Sequence, residues 1–136
     1  MSIDNRSHCP IAFALDLFGD KWSLLILRDL LFKGKKHYQE FLAAEEAIST
    51  NILANRLSQL EDYGLILKDK DPQNKKQYIY TPTPKAKDLI PMLGEMIVWS
   101  NKYDPETGIP PKIRKAIKKD KKAFIKSLSQ GVKDVE

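Results

Sequence analysis

The sequence predicts a mainly α-helical fold with one small β-hairpin (α+β), in the order of a winged helix-turn-helix. Two observations point to this fold. Four helical segments with recognisable start and stop signals occupy residues 9–64. Two short β-rich runs, LILKDKD and QYIYTP, then follow at once around a Pro/Asn turn. Because the third and fourth helices are joined by a short turn, a hairpin directly after them is predicted to form a wing.

Length and composition limit the class of protein. A chain of 136 residues can bury a core without metal or disulfide staples. The single cysteine excludes an intrachain disulfide framework and suits a reducing compartment. The N-terminal MSIDNRSHCP is polar and every apolar run is interrupted well before 18 residues. We therefore expect a cytoplasmic protein without a signal peptide or membrane span.

The positive charge is concentrated in one segment. The chain carries a net charge of +5, but residues 112–126 alone hold eight Lys or Arg and one Asp, a net charge of +7. All other residues together carry −2. A basic pI is therefore weak evidence for nucleic-acid binding by the folded body itself.

The first four helices are predicted from their caps. Cys9-Pro10 starts the first helix, since proline is favoured at the first helical position, and Gly19 ends it. Asp20 caps the second helix, KWSLLILRDLLFKG, whose nearly continuous apolar surface predicts a central buried helix. The third helix is HYQEFLAAE, and Ser49 caps the fourth.

Two further helices are predicted after the hairpin. Thr83-Pro84 starts a fifth helix with an apolar side, and Pro91 inside it should kink the helix or cost it one hydrogen bond. A linker, YDPETGIPP, leads to a basic last helix with an apolar stripe. We therefore expect a winged helix-turn-helix DNA-binding and dimerisation domain over residues 1–103, and a linker plus basic helix over 104–136. The stripe favours packing with a solvated lysine face, and the alternative is that the lysines extend a DNA footprint.

The fourth helix has two chemically different faces. Its leucines cluster within one narrow arc, while the opposite arc carries short amides and hydroxyls. The polar residues in its N-terminal half are those that can read base edges: asparagine bonds adenine, serine and threonine bond either base type, and a threonine methyl meets thymine. A recognition helix enters the major groove with its N-terminal residues. The candidate base-reading residues are Ser49, Thr50, Asn51 and Asn55.

The alternative interpretation of this face is an ordinary solvated helix that happens to carry two asparagines. The helix order around it favours DNA. Lys75 and Lys76, near the hairpin tip, are candidates for phosphate contacts, with a solvated tip as the alternative. Arg56 flanks the polar face, and the sequence leaves open whether it reaches a phosphate or pairs with an acidic residue.

The chain resembles the HxlR family of bacterial winged-helix transcription regulators, relatives of the MarR group. The resemblance runs from about residue 9 to 99. It rests on CPIAFALDLFGDKWSLLILRDL, on HYQEF, on ISTNILANRLSQLEDYGLI, and on YTPT with the later IPML. It implies a homodimer that binds pseudo-palindromic double-stranded operator DNA. His37 departs from the pattern, because it stands where the family commonly has arginine, and Gln77 stands near a frequent wing arginine.

Two further groups of residues complete the expected regulator. We expect backbone contacts from His37 and Tyr38, together with Arg56, Lys75 and Lys76. We expect the dimer interface between terminal helices to include Phe13, Leu17, Met96, Ile97 and Trp99.

Cys9 is a candidate sensor of a small electrophile or oxidant. It lies at a predicted helix N-terminus beside His8 and Arg6, a setting that favours the reactive thiolate. Some HxlR-type proteins sense oxidants through a cysteine in a similar position. The alternative is a small thiol that only packs.

No catalytic, cofactor or metal site is expected. The two histidines lack neighbours at metal-ligand spacing, and no phosphate-binding loop or nucleophile motif occurs. An enzyme is therefore the weakest interpretation. The main alternative to a DNA-binding regulator is a winged-helix protein-interaction module that binds no DNA, and salt-dependent binding to duplex DNA separates the two.

Overall fold

The structure, a computed structural model, describes residues 8–135, with side chains for residues 8–130. The chain divides into two compact units, one ending at Ala86 and the other beginning at Lys87. The first unit contains four helices before the hairpin: α1 (Pro10–Phe18), α2 (Lys21–Phe32), α3 (Tyr38–Leu42) and α4 (Thr50–Asp62). Mainly helical structure with one two-stranded sheet confirms the predicted fold class.

The caps fix the helix starts as predicted. The Asp20 carboxylate accepts hydrogen bonds from the N–H groups of Trp22 at 2.9 Å and Ser23 at 3.1 Å. The Ser49 hydroxyl accepts one from the N–H of Ile52 at 3.2 Å. Side-chain oxygens at this position satisfy N–H groups that the first helical turn leaves unpaired.

The third helix is shorter than predicted, because it ends at Leu42 and a turn follows. Ala47 in that turn has a φ of 59°, the left-handed conformation that favours glycine. The turn joins α3 to α4 and completes the helix-turn-helix.

The wing consists of strands β1 (Ile66–Asp71) and β2 (Asn74–Pro82), paired antiparallel around the two-residue turn 72–73. Lys70 pairs with Tyr78, but the next residue, Asp71, pairs with Asn74. The extra residues 75–77 of β2 therefore lie in a bulge. Lys75 and Lys76 thus belong to this bulge rather than to the turn itself.

The core of the first unit forms around α2, as its apolar sequence predicts. The side chains exposed by less than 2% that α2 contributes are Leu27, Leu31 and Ser23. Phe41 of α3, Leu53 and Leu60 of α4, and Leu65 and Ile66 at the start of the wing are similarly buried, and α2 packs against α4 and β2. This packing holds the polar face of α4 outward.

Each of the two later helices expected from the sequence is divided in two. The structure has α5 (Pro84–Lys87), α6 (Ile90–Tyr103), α7 (Pro111–Lys119) and α8 (Lys121–Val135). Pro91 lies in the first turn of α6, where a missing N–H costs nothing, so it starts a helix instead of kinking one. Asp120 is extended, and its carboxylate accepts a hydrogen bond from the N–H of Ala123 at 3.1 Å, which caps α8.

In the second unit, α8 packs against α6. A Cβ placed on Gly94 of α6 would lie 3.1 Å from side-chain carbons of both Ile125 and Leu128. The absence of a side chain at Gly94 therefore allows the apolar stripe of α8 to approach. Because α6 shares its packing with α8, the division after Ala86 differs from the boundary expected after residue 103. No helix among residues 8–135 is long and apolar enough to cross a membrane.

Candidate nucleic-acid interface

The outer face of α4 carries the four candidate base-reading residues. Leu53, Leu57 and Leu60 are buried on the inner face, with exposures of 0%, 3% and 0%. Ser49, Thr50, Asn51 and Asn55 are all exposed. Asn51 and Asn55 lie on the side of α4 opposite its buried leucines, whereas Ser49 and Thr50 are exposed because they stand at the N-terminal end of the helix. The Ser49 hydroxyl is already engaged as the helix cap.

Arg56 is tied to two neighbours within its own unit. Its Nε donates to Asp20 Oδ1 at 3.0 Å, and its Nη1 donates to Asn55 Oδ1. Partial burial raises the pKa of Asp20, but hydrogen bonds from Ser23 and Arg56 outweigh it and keep that pKa below its usual value. Of the two interpretations left open by the sequence, the structure shows the acidic partner.

The Arg56 contact also fixes the amide of Asn55. Because Asn55 Oδ1 accepts from Arg56, the two N–H donors of this amide remain for an external acceptor. Sequence reasoning identified Asp20 as a helix cap but missed its bond to α4. The two partners are 36 residues apart, so no local pattern indicates it.

His37 joins the start of α3 to the end of β1. Its Nδ1 lies 2.9 Å from Glu40 Oε1 and its Nε2 lies 3.1 Å from Asp71 Oδ2. The hydrogen bonds with Glu40 and then Asp71 raise the pKa of His37 above its ordinary value. The pKa of Asp71 is lowered by the N–H of Gln73 and by His37. A protonated imidazole, with both nitrogens donating, fits this position between two carboxylates.

A cleft of about 300 Å³ lies between α3 and the wing. It brings together three residues expected to contact the DNA backbone, namely His37, Tyr38 and Lys76. The Tyr38 hydroxyl donates to the carbonyl oxygen of Thr50 at 3.1 Å, so it also links α3 to α4. Lys75 is exposed in the same bulge as Lys76 and does not line this cleft. The remaining lining residues are Gln39, Gln77, Tyr78 and Tyr80.

A partly buried charge network supports the helix-turn-helix and was not anticipated. The Arg28 guanidinium bonds Asp29 Oδ1 at 2.8 Å and both carboxylate oxygens of Glu46 at 2.8 and 3.0 Å. Lys35 Nζ reaches Asp29 Oδ2 at 3.1 Å. The hydrogen bonds from Arg28 lower the pKa of Glu46 to about 2. This network fastens α2 to the turn that precedes α4. The LILRDL run, which contains Arg28 and Asp29, was the available signal.

The candidate dimer residues differ in exposure. Phe13 of α1 is 46% exposed, and in α6 Met96 and Trp99 are 47% and 66% exposed. Ile97 is half-buried. Leu17 is only 5% exposed, because it packs into the core of its own unit, and it offers almost no surface to a second copy.

Cys9 is exposed and precedes the first residue of α1. Its carbonyl oxygen accepts the first hydrogen bond of that helix, from the N–H of Phe13 at 3.0 Å. His8 is also exposed, while Arg6 lies outside the described residues.

With this geometry established, similarity to known proteins decides the family. A model of the HxlR-like helix-turn-helix family matches residues 17–107, about two thirds of the chain. The chain belongs to the HxlR-like helix-turn-helix family. The family expected from the sequence is therefore confirmed, and α3, α4 and the wing form the winged helix of a DNA-binding transcriptional regulator.

Two relatives of this HxlR-like protein illustrate the match. An uncharacterized HTH-type transcriptional regulator of Synechocystis, sll1512, is 39% identical over 88 residues, which cover 65% of this chain and 64% of the relative. YvaP of Bacillus subtilis, another HTH-type transcriptional regulator, is 34% identical over 71% of this chain and 91% of its own length.

Solved structures agree with the sequence relatives. PA1607, solved as a candidate transcription factor, superposes with a TM-score of 0.69 at 32% identity, over 77% of this chain and 73% of that one. The redox regulator HypR in its oxidized form gives 0.62 at 26% identity, over 69% and 96%. The reduced form of the transcriptional regulator YodB from B. subtilis gives 0.59 at 27% identity, over 74% and 99%.

Proposed function

We propose that this HxlR-like protein reads pseudo-palindromic operator DNA as a homodimer, with α4 of each protomer in the major groove. The observation that carries the proposal is the polar N-terminal half of α4, held outward by buried leucines on the opposite face. Recognition helices of this type present their N-terminal residues to base edges. The bulged wing, with Lys75 and Lys76, lies in the same unit.

Base reading falls to Thr50, Asn51 and Asn55. The side chains of Thr50 and Asn51 are exposed and make no hydrogen bond within the described chain, so both retain their donors and acceptors for bases. Asn55 presents its N–H donors, since Arg56 holds its oxygen, and therefore suits acceptors such as guanine O6 and N7. Ser49 is exposed at the N-terminal end of α4, where its hydroxyl caps the helix.

Backbone contacts fall to the cleft between α3 and the wing. The Lys76 ammonium supplies the donors for a phosphate in this cleft. His37 and Tyr38 line the cleft beside it, with their own donors held by Glu40, Asp71 and the carbonyl oxygen of Thr50. Lys75 adds a positive charge in the neighbouring bulge. Arg56 contributes through Asn55 and Asp20 rather than through a phosphate of its own.

Dimerisation through the terminal helices is supported by exposed apolar side chains. Ile11, Phe13 and Leu15 of α1 are 70%, 46% and 57% exposed, and Trp99 and Tyr103 of α6 are 66% and 60% exposed. Large apolar side chains grouped on one element are typical of an interface. A homodimer places two copies of α4 about one DNA turn apart, as a pseudo-palindrome requires.

Cys9 is proposed to make the protein responsive to oxidants or small electrophiles. Its exposure gives a reagent access, and its place at the start of α1 puts any modification beside the proposed dimer surface. Similarity to the redox regulator HypR supports the idea.

Selection from a library of randomised duplexes tests the central proposal. The full-length protein should enrich an inverted repeat with half-sites about 10 base pairs apart. Asn51→Ala should weaken cognate binding by roughly 1–3 kcal/mol and relax the preference at one position of each half-site. Ser58→Ala, on the same face but toward the C-terminal end, is the matched control and should preserve the motif. A wild-type protein that enriches no sequence, or a motif unchanged in Asn51→Ala, would contradict base reading by α4.

A further inference from the structure

The segment formed by α7 and the start of α8 exposes an unusually dense set of cations. One of its eight basic residues serves the fold: Arg114 donates to the carbonyl oxygens of Thr107 and Ile109 at 3.1 and 3.2 Å. The other seven are exposed lysines, here called the tail lysine surface: Lys112, Lys115, Lys118, Lys119, Lys121, Lys122 and Lys126.

Almost none of this charge is neutralised locally. Asp120 is the single acidic residue of the segment, and its carboxylate caps α8. Glu95 pairs with Lys121 at 3.3 Å. The six remaining lysines have no acidic partner among the residues whose side chains the structure describes.

Apolar contacts hold the tail lysine surface in place. Ile117 and Phe124 are buried, and Ile125 and Leu128 lie against Gly94 of α6. These contacts hold the apolar side of the segment inward, so the lysines face solvent as a defined patch rather than as a loose tail. The whole segment lies beyond residue 107, where the match to the family model ends, so the patch lies outside the matched part of the chain.

Charge is distributed unequally between the two units. The unit ending at Ala86 contains twelve basic and eleven acidic residues, a net charge of +1, although it holds the recognition helix. The unit beginning at Lys87 contains eleven basic and seven acidic residues, a net charge of +4. Duplex DNA carries one negative charge per about 1.7 Å of axis, and neutralising its phosphates supplies the sequence-independent part of binding. The unit that contains α4 therefore has little net positive charge with which to neutralise phosphates.

We propose that the tail lysine surface binds the phosphate backbone of duplex DNA. It supplies the sequence-independent attraction, while α4 supplies base preference. This inference rests on the proposed function, because the two surfaces act on one duplex. Lysine ammonium groups suit this role as point charges, since they neutralise phosphates without reading bases.

Salt titration of the full-length protein tests the proposal. The probe is a fluorescein-labelled 40-base-pair duplex of random sequence, titrated between 50 and 200 mM salt. The test variant is Lys118→Gln/Lys122→Gln, and the matched control is Lys33→Gln/Lys102→Gln, which removes two exposed lysines outside the surface. Lysine and glutamine have similar helix propensities, so the substitutions at Lys102, Lys118 and Lys122 preserve their helices, and Lys33 follows the last residue of α2.

The expected result is a shallower dependence of log affinity on log salt for the test variant alone. Each lysine–phosphate pair removed should reduce the slope by about 0.9, so the two removed from a bound protomer should reduce it by about 1.8, which changes the affinity ratio between 50 and 200 mM about 12-fold. The motif selected from a duplex library should stay as in wild type, because base contacts are untouched.

Four outcomes are distinguishable. A slope equal to wild type in both variants identifies a solvated face and overturns the inference. Equal reductions in both variants reflect net charge alone and also overturn it. Binding to phosphatidylglycerol vesicles is measured for the same variants. If the test variant loses vesicle binding while its salt dependence of DNA binding equals that of wild type, the surface is a membrane contact, and the inference is again overturned. A wild-type protein that binds no duplex at any salt refutes the proposed function itself, which separates that failure from the other three.

Discussion

Arg56 of the recognition helix donates to Oδ1 of Asp20, the N-cap of α2, across 3.0 Å. The same carboxylate accepts from the first N–H groups of α2 and from the Ser23 hydroxyl at 2.6 Å. One aspartate therefore both starts the central helix and orients the helix that faces DNA. The second bond of Arg56, to Asn55, extends this link to a side chain that we propose reads bases.

Arg56→Lys tests whether the guanidinium positions Asn55 or contacts a phosphate. Lysine keeps the charge but cannot bond Asp20 and Asn55 together, since it lacks the planar fork. We expect a weaker base preference at the position read by Asn55, an unchanged salt slope, and a loss of roughly 0.5–1 kcal/mol in the free energy of unfolding, typical of a partly exposed ion pair. Library selection, salt titration and urea unfolding measure these three quantities.

Arg56→Gln serves as the companion variant. A phosphate contact would make its salt slope shallower by about 0.9 while leaving the selected motif intact. That pattern, with full retention of both properties in Arg56→Lys, would rule out the positioning role.

The His37 bridge predicts a pH-dependent contribution to stability. The folded state raises the pKa of His37 above the ordinary 6.5, so its contribution is complete below pH 6.5 and is lost as pH rises through the raised pKa. Glu40 and Asp71 have pKa values lowered from 4.5 and 3.8, so their contribution is complete above about pH 4.5 and is lost toward lower pH. The bridge should therefore stabilise most between about pH 4.5 and 6.5.

Thermal unfolding of wild type and His37→Gln between pH 4 and pH 9 measures this contribution. The difference in Tm should be largest near pH 5.5 and should shrink toward pH 9. His8→Gln, at the other histidine, is the control and should follow wild type throughout. A His37→Gln difference that is constant with pH would mean that the imidazole acts only by packing or by a neutral hydrogen bond.

Trp99→Glu tests the proposed dimer. Wild-type protein at micromolar concentration should scatter light as about twice the chain mass of 15.6 kDa. Burying a tryptophan commonly contributes about 2 kcal/mol or more at an interface, so the variant should shift strongly toward monomer. Leu67→Glu alters an equally conspicuous apolar residue, 55% exposed on β1, and should leave the dimer intact. A wild-type monomer at this concentration would remove the two-half-site arrangement.

Cys9→Ser tests thiol sensing. Treatment with diamide, which removes two electrons and two protons as two thiols join, should change the operator affinity of wild type. Only a disulfide to another molecule can form, since the chain has one cysteine, so a nonreducing gel should show a linked dimer or a mixed disulfide. The variant should bind DNA normally and ignore diamide. Wild-type affinity that is identical before and after stoichiometric alkylation would leave Cys9 a packing residue.

Local signals predicted the elements of this fold and non-local contacts completed the site. Caps at Asp20 and Ser49 fixed helix starts because a cap satisfies N–H groups within three residues. The division of the later helices was not predicted although its signals, Pro91 and Asp120, are local: Pro91 was expected to interrupt a helix that it in fact starts, and Asp120 was considered only for its charge.

For the candidate site, the sequence predicted which polar side chains are exposed but not the contacts that they make. The polar face of α4 follows from periodicity, which assigns residues to faces without reference to the rest of the chain. Asp20, which pairs with Arg56, and Asp71, which pairs with His37, lie 36 and 34 residues away from them, and these pairs form only once the helices and the wing have packed. Sequence reasoning therefore named these side chains but could not assign their roles.

Gly94 lies in the part of the chain matched by the family model, and it is a residue against which α8 packs. Its position lies inside residues 17–107, yet the carbons that crowd it, from Ile125 and Leu128, lie outside that range. A chain of this family that lacks α8 also lacks these two side chains, so a larger side chain at this position would not meet them. Among relatives, glycine at this position should therefore occur together with a C-terminal helix like α8. The residue found there would then indicate whether such a helix packs against α6.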